Sequence, residues 1–381
     1  MTTPVHRAAQ LHRPLMVLSG ASAVLAVVAL LGVFTDDRVL TGAPIWLKVF
    51  KFAVSFTVYG VTLAWMLSLL PVRSRRAERA ATVVVVMSVL ELVVIVAQVV
   101  RGRASHFNES TLLDMVLWRV MGTSILVLWL AHLIIAVVVA RRPLGDRAAT
   151  YGVRAGLIVS LLGMLAAVPM VLPTAAPGTP GVTGAHAVGV PDGGAGMPLT
   201  GWSITGGDLR IGHFVGLHAL QALPLLALLL TVAARRGGRL ASRLDEPGRA
   251  RLVVVAAVGY AAVTVLLTWQ ALRGQPLLRP DALTLAALAA VVTGCVVASA
   301  RVLTARPAPP AEVAEAAPVG WRGEHDVLEL VATGLSNTEI AERLHIGVTT
   351  VKTHITNLMT KTGSPNRVRM ALVWSRATPP R

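Results

Sequence analysis

Long apolar runs separated by short polar segments occupy the first 304 residues. An α-helix rises ~1.5 Å per residue, so about 20 apolar residues cross the ~30 Å of hydrocarbon in a bilayer. Eight runs approach or exceed this length, at residues 15–34, 45–70, 80–100, 112–140, 152–173, 211–234, 252–271 and 281–304. The pattern predicts a polytopic transmembrane domain of about eight helices over residues 1–304.

The first run permits two interpretations. Arginine and histidine side chains precede it, as basic residues precede the apolar part of a secretory signal peptide. The run is 20 residues long, however, and no small-x-small cleavage sequence follows it before Thr35. These features favour a helix that is retained in the protein.

The charges of the chain are few and unequal. Hydrophobic residues make up 54% of the 381 residues and charged residues 14%, with a mean hydropathy of +0.67, which excludes a soluble protein. Lys and Arg number 35 against 19 Asp and Glu, for a formal net charge of +16. This excess of cations indicates anionic partners, namely membrane lipid headgroups, nucleic acid or both.

The distribution of the cations predicts an orientation. Alternate connections between the apolar runs carry 18 Lys and Arg, whereas the intervening connections carry 9. Cationic connections are retained on the cytoplasmic side of a membrane. We therefore expect a multi-pass protein of a bacterial cell membrane with both termini in the cytoplasm.

Two segments are too rich in Gly, Pro or Ala for long regular elements. Residues 174–210 contain PTAAPGTPGVTG and PDGGAGMPLTG and are expected to form a mobile outer loop without regular structure. Residues 305–320, ARPAPPAEVAEAAPVG, are expected to be a linker.

From Glu324 onward the pattern changes to short amphipathic helices. Apolar residues recur at helical spacing in three groups: Val327, Leu328 and Val331; Ile340, Ala341 and Leu344; and Val351, Ile355 and Leu358. Ser336 stands three residues before Glu339, the spacing of a capping box. Gly363 closes the third helix, and Ser364-Pro365 opens a fourth. We expect a small all-α domain of four helices over residues 321–377.

A three-residue turn, His345-Ile346-Gly347, joins the second and third of these helices, and this arrangement suits the DNA major groove. The third helix presents short hydroxyls, an amide and a lysine: Thr349, Thr350, Lys352, Thr353, Thr356, Asn357 and Thr360. Residues 343–381 carry seven Lys and Arg and no acid, so the positive charge coincides with this helix. The pattern indicates a helix-turn-helix that binds double-stranded DNA.

The C-terminal sequence closely resembles the LuxR-type (GerE) helix-turn-helix of bacterial transcription regulators. The similarity is carried by EHDVLELVATGLSNTEIAERL at 324–344, TVKTHI at 350–355 and KTG at 361–363. The resemblance implies a third helix in the major groove and a fourth that pairs in a homodimer. It also implies that Lys352, Thr353 and Thr356 face bases, and that Asn337, Thr350 and Lys361 hold phosphates.

The chain departs from the usual pattern of that family at three places. Gly320-Trp321 stands for the usual Leu-Thr, Gly323 for an Arg, and Gly347 for the Ser that opens the recognition helix. Glycine at a helix N-cap costs only a few tenths of a kcal/mol relative to serine. We expect the fold to survive these changes.

Ionisable residues inside the apolar runs suggest a second site. Glu91 and His132 fall near the middle of their runs, where a charge costs a few kcal/mol. One interpretation of the cations near the outer boundary is that they only extend to lipid headgroups. The other is an outward-facing sensor pocket for an anionic small molecule, lined by Lys48, Lys51, Glu91, Arg119, His213 and His218. Haem or metal binding by His106, His213 and His218 is disfavoured, since an i, i+5 spacing does not place two imidazoles on one helix face.

No catalytic chemistry emerges from the sequence. Cys295 is the single cysteine, which excludes an intramolecular disulfide and multi-cysteine metal sites. No Walker lysine, GxSxG or HExxH motif is present. We expect no enzyme activity, no cofactor and no metal.

The segments WLKVFKFAVSF and GGDLRIGHFVGLHALQALPLL resemble an uncharacterised family of bacterial polytopic membrane proteins, and this resemblance implies no function.

These patterns favour a membrane-integrated, one-component transcription regulator whose membrane domain is a sensor. The alternative is a transporter or channel with an accessory DNA-binding domain. Internal inverted repeats and helices broken near the midplane would favour the alternative. No clear repeat relates the first four runs to the last four, and Gly163, Pro169 and Pro224 are the candidates for a midplane break.

Overall fold

The computed structural model describes residues 11–142, 144–172, 181–236, 243–304 and 322–377. Within these ranges the chain forms twelve α-helices, one 3-10 helix and four β-strands of two residues each. It divides into two compact units, Met1–Ala305 and Arg306–Arg381. The prediction of an all-α fold is confirmed. The expected linker, residues 305–320, lies outside the described residues.

The first unit contains eight helices that are long and apolar enough to cross a membrane. They are α1 Arg13–Thr35, α2 Leu47–Ser68, α3 Arg75–Val100, α4 Leu112–Ala140, α5 Arg147–Leu165, α6 Leu209–Arg235, α7 Glu246–Leu272 and α8 Ala282–Thr304. The 3-10 helix Val168–Val171 continues α5. α6 remains helical through Pro224, one of the candidate midplane breaks. The predicted bundle of eight apolar helices is confirmed.

Three of these helices begin about five residues earlier than their apolar runs. A polar side chain caps each start: Ser74 for α3, Asp146 for α5 and Asp245 for α7. Each cap accepts a hydrogen bond from a backbone N–H in the first turn, which satisfies a donor that has no partner within the helix. An apolar run marks the part of a helix suited to hydrocarbon, and the cap determines where the helix begins.

The two ends of the bundle differ in charge. We call one the arginine-rich end; its described residues are 69–74, 141, 142, 144–146, 236 and 243–245, together with the end of α8. There Arg249 Nη2 donates to Asp146 Oδ1 at 2.8 Å, and Arg243 Nη1 donates to the Leu303 carbonyl at 2.8 Å. The described residues of the other connections, at 36–46, 101–111, 166–172, 181–208 and 273–281, form the opposite end.

Glycines bring α5 and α6 into backbone contact. A Cβ built on Gly163 would lie 2.4 Å from the Gly216 carbonyl carbon, and one on Gly152 would lie 2.9 Å from the Leu223 carbonyl oxygen. No larger residue fits at either position without moving a backbone. Small residues serve the same purpose at helix contacts within membranes generally.

The two ionisable residues near the middle of the bundle, His132 and Glu91, hydrogen-bond to side chains of neighbouring helices. His132 Nδ1 lies 2.8 Å from Tyr59 Oη, and His132 Nε2 lies 3.2 Å from Ser160 Oγ. Ser124 Oγ donates to Glu91 Oε1 at 2.5 Å, and the Glu91 side chain is buried. Such pairing is what a polar group in hydrocarbon requires.

The expectation that residues 174–210 lack regular structure is wrong for the described part, 181–208. Strand β3, Ala187–Val188, pairs with β4, Gly207–Asp208, as a short antiparallel ribbon. An earlier ribbon pairs β1, Val39–Leu40, with β2, Ala43–Pro44. The segment also hydrogen-bonds to the α3–α4 connection, since Thr183 N donates to the Phe107 carbonyl at 3.0 Å. Its glycines permit the turns that fold it onto the opposite end.

The second unit contains the four short helices α9 Arg322–Ala332, α10 Asn337–Leu344, α11 Val348–Lys361 and α12 Arg367–Ala377. Its core consists of Val327, Leu328, Val331, Ile340, Ala341, Val351, Ile355, Leu358 and Met370. The first eight belong to the three apolar groups seen in the sequence, and those groups are confirmed as the buried faces. Met370 supplies the contact from α12.

The capping box of α10 is present as the spacing predicted. Ser336 N donates to Glu339 Oε2 at 2.6 Å, and Glu339 N donates to Ser336 Oγ at 3.3 Å. Hydrogen bonds from Ser336 hold the pKa of Glu339 below its ordinary value. The carboxylate therefore remains charged at the positive end of the helix dipole.

Candidate nucleic-acid interface

A tight turn fixes α11 against α10. His345 ends α10 in the left-handed conformation, with φ of 53°, and Ile346 N donates to the Ala341 carbonyl at 3.0 Å. Gly347 is the N-cap of α11, with an extended φ of −71° and ψ of 144° and no side-chain cap. The local geometry is that of a helix-turn-helix, with α11 as the second helix of the motif.

The two faces of α11 have opposite character. Val351, Ile355 and Leu358 are buried in the core of the unit. The other face exposes all seven polar residues expected from the sequence: Thr349, Thr350, Lys352, Thr353, Thr356, Asn357 and Thr360. It contains no acidic side chain, so it suits a polyanion.

Three of the five threonine hydroxyls on this face, those of Thr353, Thr356 and Thr360, are already used as donors. Thr353 Oγ1 donates to the Thr349 carbonyl at 3.0 Å, and Thr356 Oγ1 donates to the Lys352 carbonyl at 2.9 Å. Each side chain therefore presents an acceptor oxygen and a methyl group to a ligand. Methyl groups make apolar contact with thymine, and an ammonium such as that of Lys352 donates to guanine or to phosphate.

Two of the residues expected to hold phosphates have partners within the unit. Lys361 Nζ lies 3.0 Å from Glu324 Oε2. Asn337 Oδ1 accepts a hydrogen bond from Arg367 Nη1 at 2.7 Å. Neither Glu324 nor Arg367 was recognised from the sequence as a neighbour of these residues, because both contacts join separate helices.

The structure gives the predicted sensor-pocket residues several different surroundings. Arg119 Nη2 pairs with Glu109 at 2.6 Å, and its side chain is 70% exposed. His213 Nδ1 lies 2.8 Å from the Gly163 carbonyl, whereas His218 is exposed and lies 3.4 Å from Gln221. Lys51 Nζ donates to the Thr200 carbonyl at 2.8 Å.

Lys48 differs from those residues. Among the residues that the structure describes, it makes no hydrogen bond, and no carboxylate lies within 4.0 Å of its ammonium. Glu91, expected as an internal counter-charge, hydrogen-bonds to Ser124 and forms no ion pair with a described cation. The carboxylates of Asp192 and Glu91 lie within electrostatic range of the Lys48 ammonium, but neither touches it. A half-buried ammonium without a hydrogen-bond partner is suited to an anion or to ordered water.

The accumulation of charge at the opposite end is explained largely by local ion pairs. Arg101 pairs with Asp114 at 2.7 Å, Arg210 with Asp208 at 2.5 Å and Arg273 with Asp281 at 2.6 Å. His186 Nδ1 also hydrogen-bonds to Asp192 Oδ2 at 2.7 Å, a contact that the sequence did not reveal. Within the described ranges, no group of three or more His, Cys, Asp or Glu side chains is arranged to hold a metal ion.

Comparison with known proteins identifies the second unit. Residues 322–374 match the family of bacterial regulatory proteins, luxR family. Over 55 residues the chain is 49% identical to the HTH-type transcriptional regulator Rv0890c of Mycobacterium tuberculosis strain ATCC 25618 / H37Rv. Over 51 residues it is 49% identical to the transcriptional regulatory protein YhcZ of Bacillus subtilis strain 168. The C-terminal unit is a LuxR-type helix-turn-helix domain.

These similarities are confined to that unit. The match covers 13% of this chain in both cases, and 6% of the mycobacterial relative and 24% of the Bacillus relative. No solved structure matches the chain. LuxR-type domains bind DNA in transcription regulation, and the eight apolar helices indicate insertion in a membrane.

Proposed function

We propose that this chain is a membrane-integrated, one-component transcription regulator. Residues 1–304 would be the membrane domain, 305–320 the linker and 321–377 the DNA-binding domain. The observation that carries the proposal is the acid-free exposed face of α11 in a chain that also holds eight apolar helices. A DNA-binding unit must lie on the cytoplasmic side. An even number of spans then places both termini there, in agreement with the cation distribution.

The proposed DNA contacts follow the exposed face of α11. Lys352 and Thr353 share one turn of that face, Thr356 lies on the next, and all three would meet base edges. Thr350 stands in the first turn of α11, where it would meet a phosphate. Asn337 and Lys361 would hold phosphates once Lys361 exchanges Glu324 for DNA, which requires breaking the 3.0 Å ion pair.

We assign dimerisation to α12. Val368 and Leu372, four residues apart on that helix, have side chains 67% and 53% exposed. Residues at i and i+4 lie on one helix face, so they form a small apolar surface. Two DNA-binding units paired through α12 would engage two half-sites, and each would raise the effective concentration of the other.

We place the sensor at the opposite end, around Lys48. The half-buried ammonium makes no hydrogen bond with a described residue, while Lys51 nearby is held by the carbonyl of Thr200 in the folded 181–208 segment. An anionic ligand at Lys48 would lie between the bundle and that segment. Arg119 and His218 are less suited to this role, because their side chains are exposed and turn to Glu109 and Gln221.

The proposal is tested with full-length protein in lipid nanodiscs and a randomised pool of duplex DNA. We expect selection of one sequence family, with affinity that falls steeply with salt, by about 0.9 logarithmic units per tenfold salt for each phosphate contact. Lys352→Ala should weaken binding to the selected site, whereas Arg369→Ala, an exposed cation on α12, should not. Failure to enrich any sequence, or equal losses in both variants, would contradict the proposal.

A further inference from the structure

A cleft of about 610 Å³ opens between α5, α7 and α8 at the arginine-rich end of the bundle. Its volume falls within the ~300–1,000 Å³ of typical small-molecule sites. None of the residues considered above for DNA or for the sensor lines it. The cleft therefore calls for its own explanation.

The packing of α8 explains why the cleft exists. At the opposite end α7 and α8 are tied by Arg273 and Asp281. Near mid-length they touch closely, since a Cβ on Gly259 would lie 2.5 Å from Cys295 Sγ. Among the residues of α8, all of which are described, Thr284 alone is buried, and it lies near the opposite end of the bundle. The half of α8 toward the arginine-rich end is therefore sparsely packed. The two helices leave an opening toward the arginine-rich end.

The lining of the cleft is amphipathic along the helix axes. Arg251 and Arg301 lie near the helix ends, and Val254 and Val297 lie three and four residues deeper, or about 4.5–6 Å at ~1.5 Å per residue. This order places guanidinium groups at the depth of lipid headgroups and apolar walls at the depth of acyl chains. A soluble anion would use only the outer part of such a site.

The arginines at the cleft are available to a ligand. Arg251 and Arg301 are exposed, and their guanidinium groups make no hydrogen bond or ion pair with any described residue. Arg147, the third cation of the lining, is 69% exposed and lies 3.9 Å from Glu246, which neutralises part of its charge. Guanidinium groups bind phosphate in a bidentate manner, and basic clefts between membrane helices accept phospholipid headgroups.

We infer that this cleft binds one anionic glycerophospholipid, with its phosphate at Arg251 and Arg301 and an acyl chain along Val254 and Val297. The inference requires only that the eight helices span the membrane, so it stands apart from DNA binding. It has a consequence for regulation, because α8 is the last span before the chain continues to the DNA-binding unit. A lipid that fills the cleft would fix the end of α8 against α5 and α7.

The test uses full-length protein in detergent and native mass spectrometry. The probes are phosphatidylglycerol and phosphatidylcholine with identical acyl chains, together with sn-glycerol 3-phosphate as a soluble headgroup. We expect the first phosphatidylglycerol to bind at least about tenfold more tightly than phosphatidylcholine, a difference of about 1.4 kcal/mol. Glycerol 3-phosphate should not displace it. Displacement by the soluble headgroup would show an anion site and overturn the lipid assignment.

Two pairs of variants separate the cleft from the general surface. Arg251→Gln/Arg301→Gln should remove the preference for phosphatidylglycerol. The control Arg235→Gln/Arg236→Gln removes the same charge from exposed residues at the same end and should retain it. Gly294 lines the cleft, and a Cβ built there meets nothing within 4 Å, so Gly294→Leu should fold normally and fill the cleft. Gly20 on α1 is equally open but does not line the cleft, so Gly20→Leu should retain lipid binding.

Each alternative result is decisive. Equal losses in the two arginine variants would assign the lipid preference to surface charge and overturn the inference. Unchanged lipid binding in Gly294→Leu would show that no acyl chain occupies the cleft, and would overturn the inference. Loss of a dimer in Gly294→Leu with lipid binding intact would make the cleft an interface between two copies of the chain. A thermal transition of each variant in phosphatidylcholine equal to that of the wild type shows that folding is intact.

Discussion

Arg367 Nη1 donates a 2.7 Å hydrogen bond to Asn337 Oδ1, and so the first residue of α12 holds the first residue of α10. Arg367 Nη2 also donates to the Leu335 carbonyl. One guanidinium thus fixes α12, the helix of the proposed dimer surface, to α10, which packs against α11. A change in how two α12 helices pair would be transmitted directly to the DNA-reading helices.

Arg367→Ala should destabilise the C-terminal unit by about 1–2 kcal/mol, because it removes two hydrogen bonds from a charged donor in a part-buried site. Urea unfolding of residues 318–381 measures the change. Arg369→Ala removes the same charge from an exposed position on α12 and serves as the control. Equal stabilities of the two variants would show that the Arg367 contacts contribute nothing.

Glu324→Gln should strengthen DNA binding. The Glu324 carboxylate lies 3.0 Å from Lys361 Nζ, so it competes with a phosphate for that ammonium. Releasing Lys361 should raise the salt dependence by about 0.9 logarithmic units per tenfold salt, the value for one further phosphate contact. Fluorescence anisotropy over a salt series measures it. Glu329 is an exposed acid on α9, and Glu329→Gln changes the net charge by the same amount. An equal gain in DNA binding from that variant would show that net charge, and not release of Lys361, causes the effect.

Lys48→Gln should abolish the response of a target-promoter reporter to inducing conditions, because the proposed anionic ligand would lose its main cation. Arg119→Gln should leave the response intact, since that guanidinium pairs with Glu109 and is 70% exposed. Both variants are compared at matched membrane abundance. A wild-type response from both variants would contradict a sensor site at Lys48 and would indicate that the eight helices only anchor the protein.

The 181–208 segment should loosen on acidification. Burial lowers the pKa of His186 from 6.5, and its hydrogen bond to Asp192 reverses only part of that shift. Burial raises the pKa of Asp192, but hydrogen bonds from His186 and Ala187 outweigh it and lower the pKa to about 2. In both cases the folded state binds protons less readily than the unfolded state. The His186 contribution is lost as pH falls below 6.5, and the Asp192 contribution as pH falls from 3.8 toward 2.

Limited proteolysis of this segment in nanodiscs, with an acid-tolerant protease, tests that pH dependence. Cleavage should accelerate as pH falls below 6.5 and should be fast at every pH in Asp192→Asn, which loses the carboxylate that accepts from His186 and Ala187. Asp37→Asn alters an exposed acid at the same end and should behave as the wild type. A cleavage rate independent of pH would contradict the assignment.

The sequence predicted those features that depend on spacing along one helix. The apolar runs identified eight spans because the length of a span is set by the bilayer. The Ser336 and Glu339 spacing identified the start of α10, and the stripe of Val351, Ile355 and Leu358 identified the buried face of α11. These are local relationships, and a single chain displays them directly.

Contacts between elements distant in the sequence were not predictable in this way. Arg367 meets Asn337 across 30 residues, and Ser124 meets Glu91 across 33. The hydrogen bond from Ser124 to Glu91 depends on how α3 and α4 are rotated, which the spacing within either helix does not show. The ribbon between β3 and β4 was missed because Gly and Pro mark turns without showing that the turns fold together.

The most direct test of the account is chromatin immunoprecipitation of the tagged full-length protein from intact cells. Wild-type protein, Lys352→Ala/Thr356→Ala and Arg369→Ala are compared at equal membrane abundance. The account predicts a discrete set of enriched promoters for the wild type and for Arg369→Ala, and loss of that set for the double variant. Absence of discrete enrichment from the wild type, or the same promoters enriched by the double variant, would contradict it.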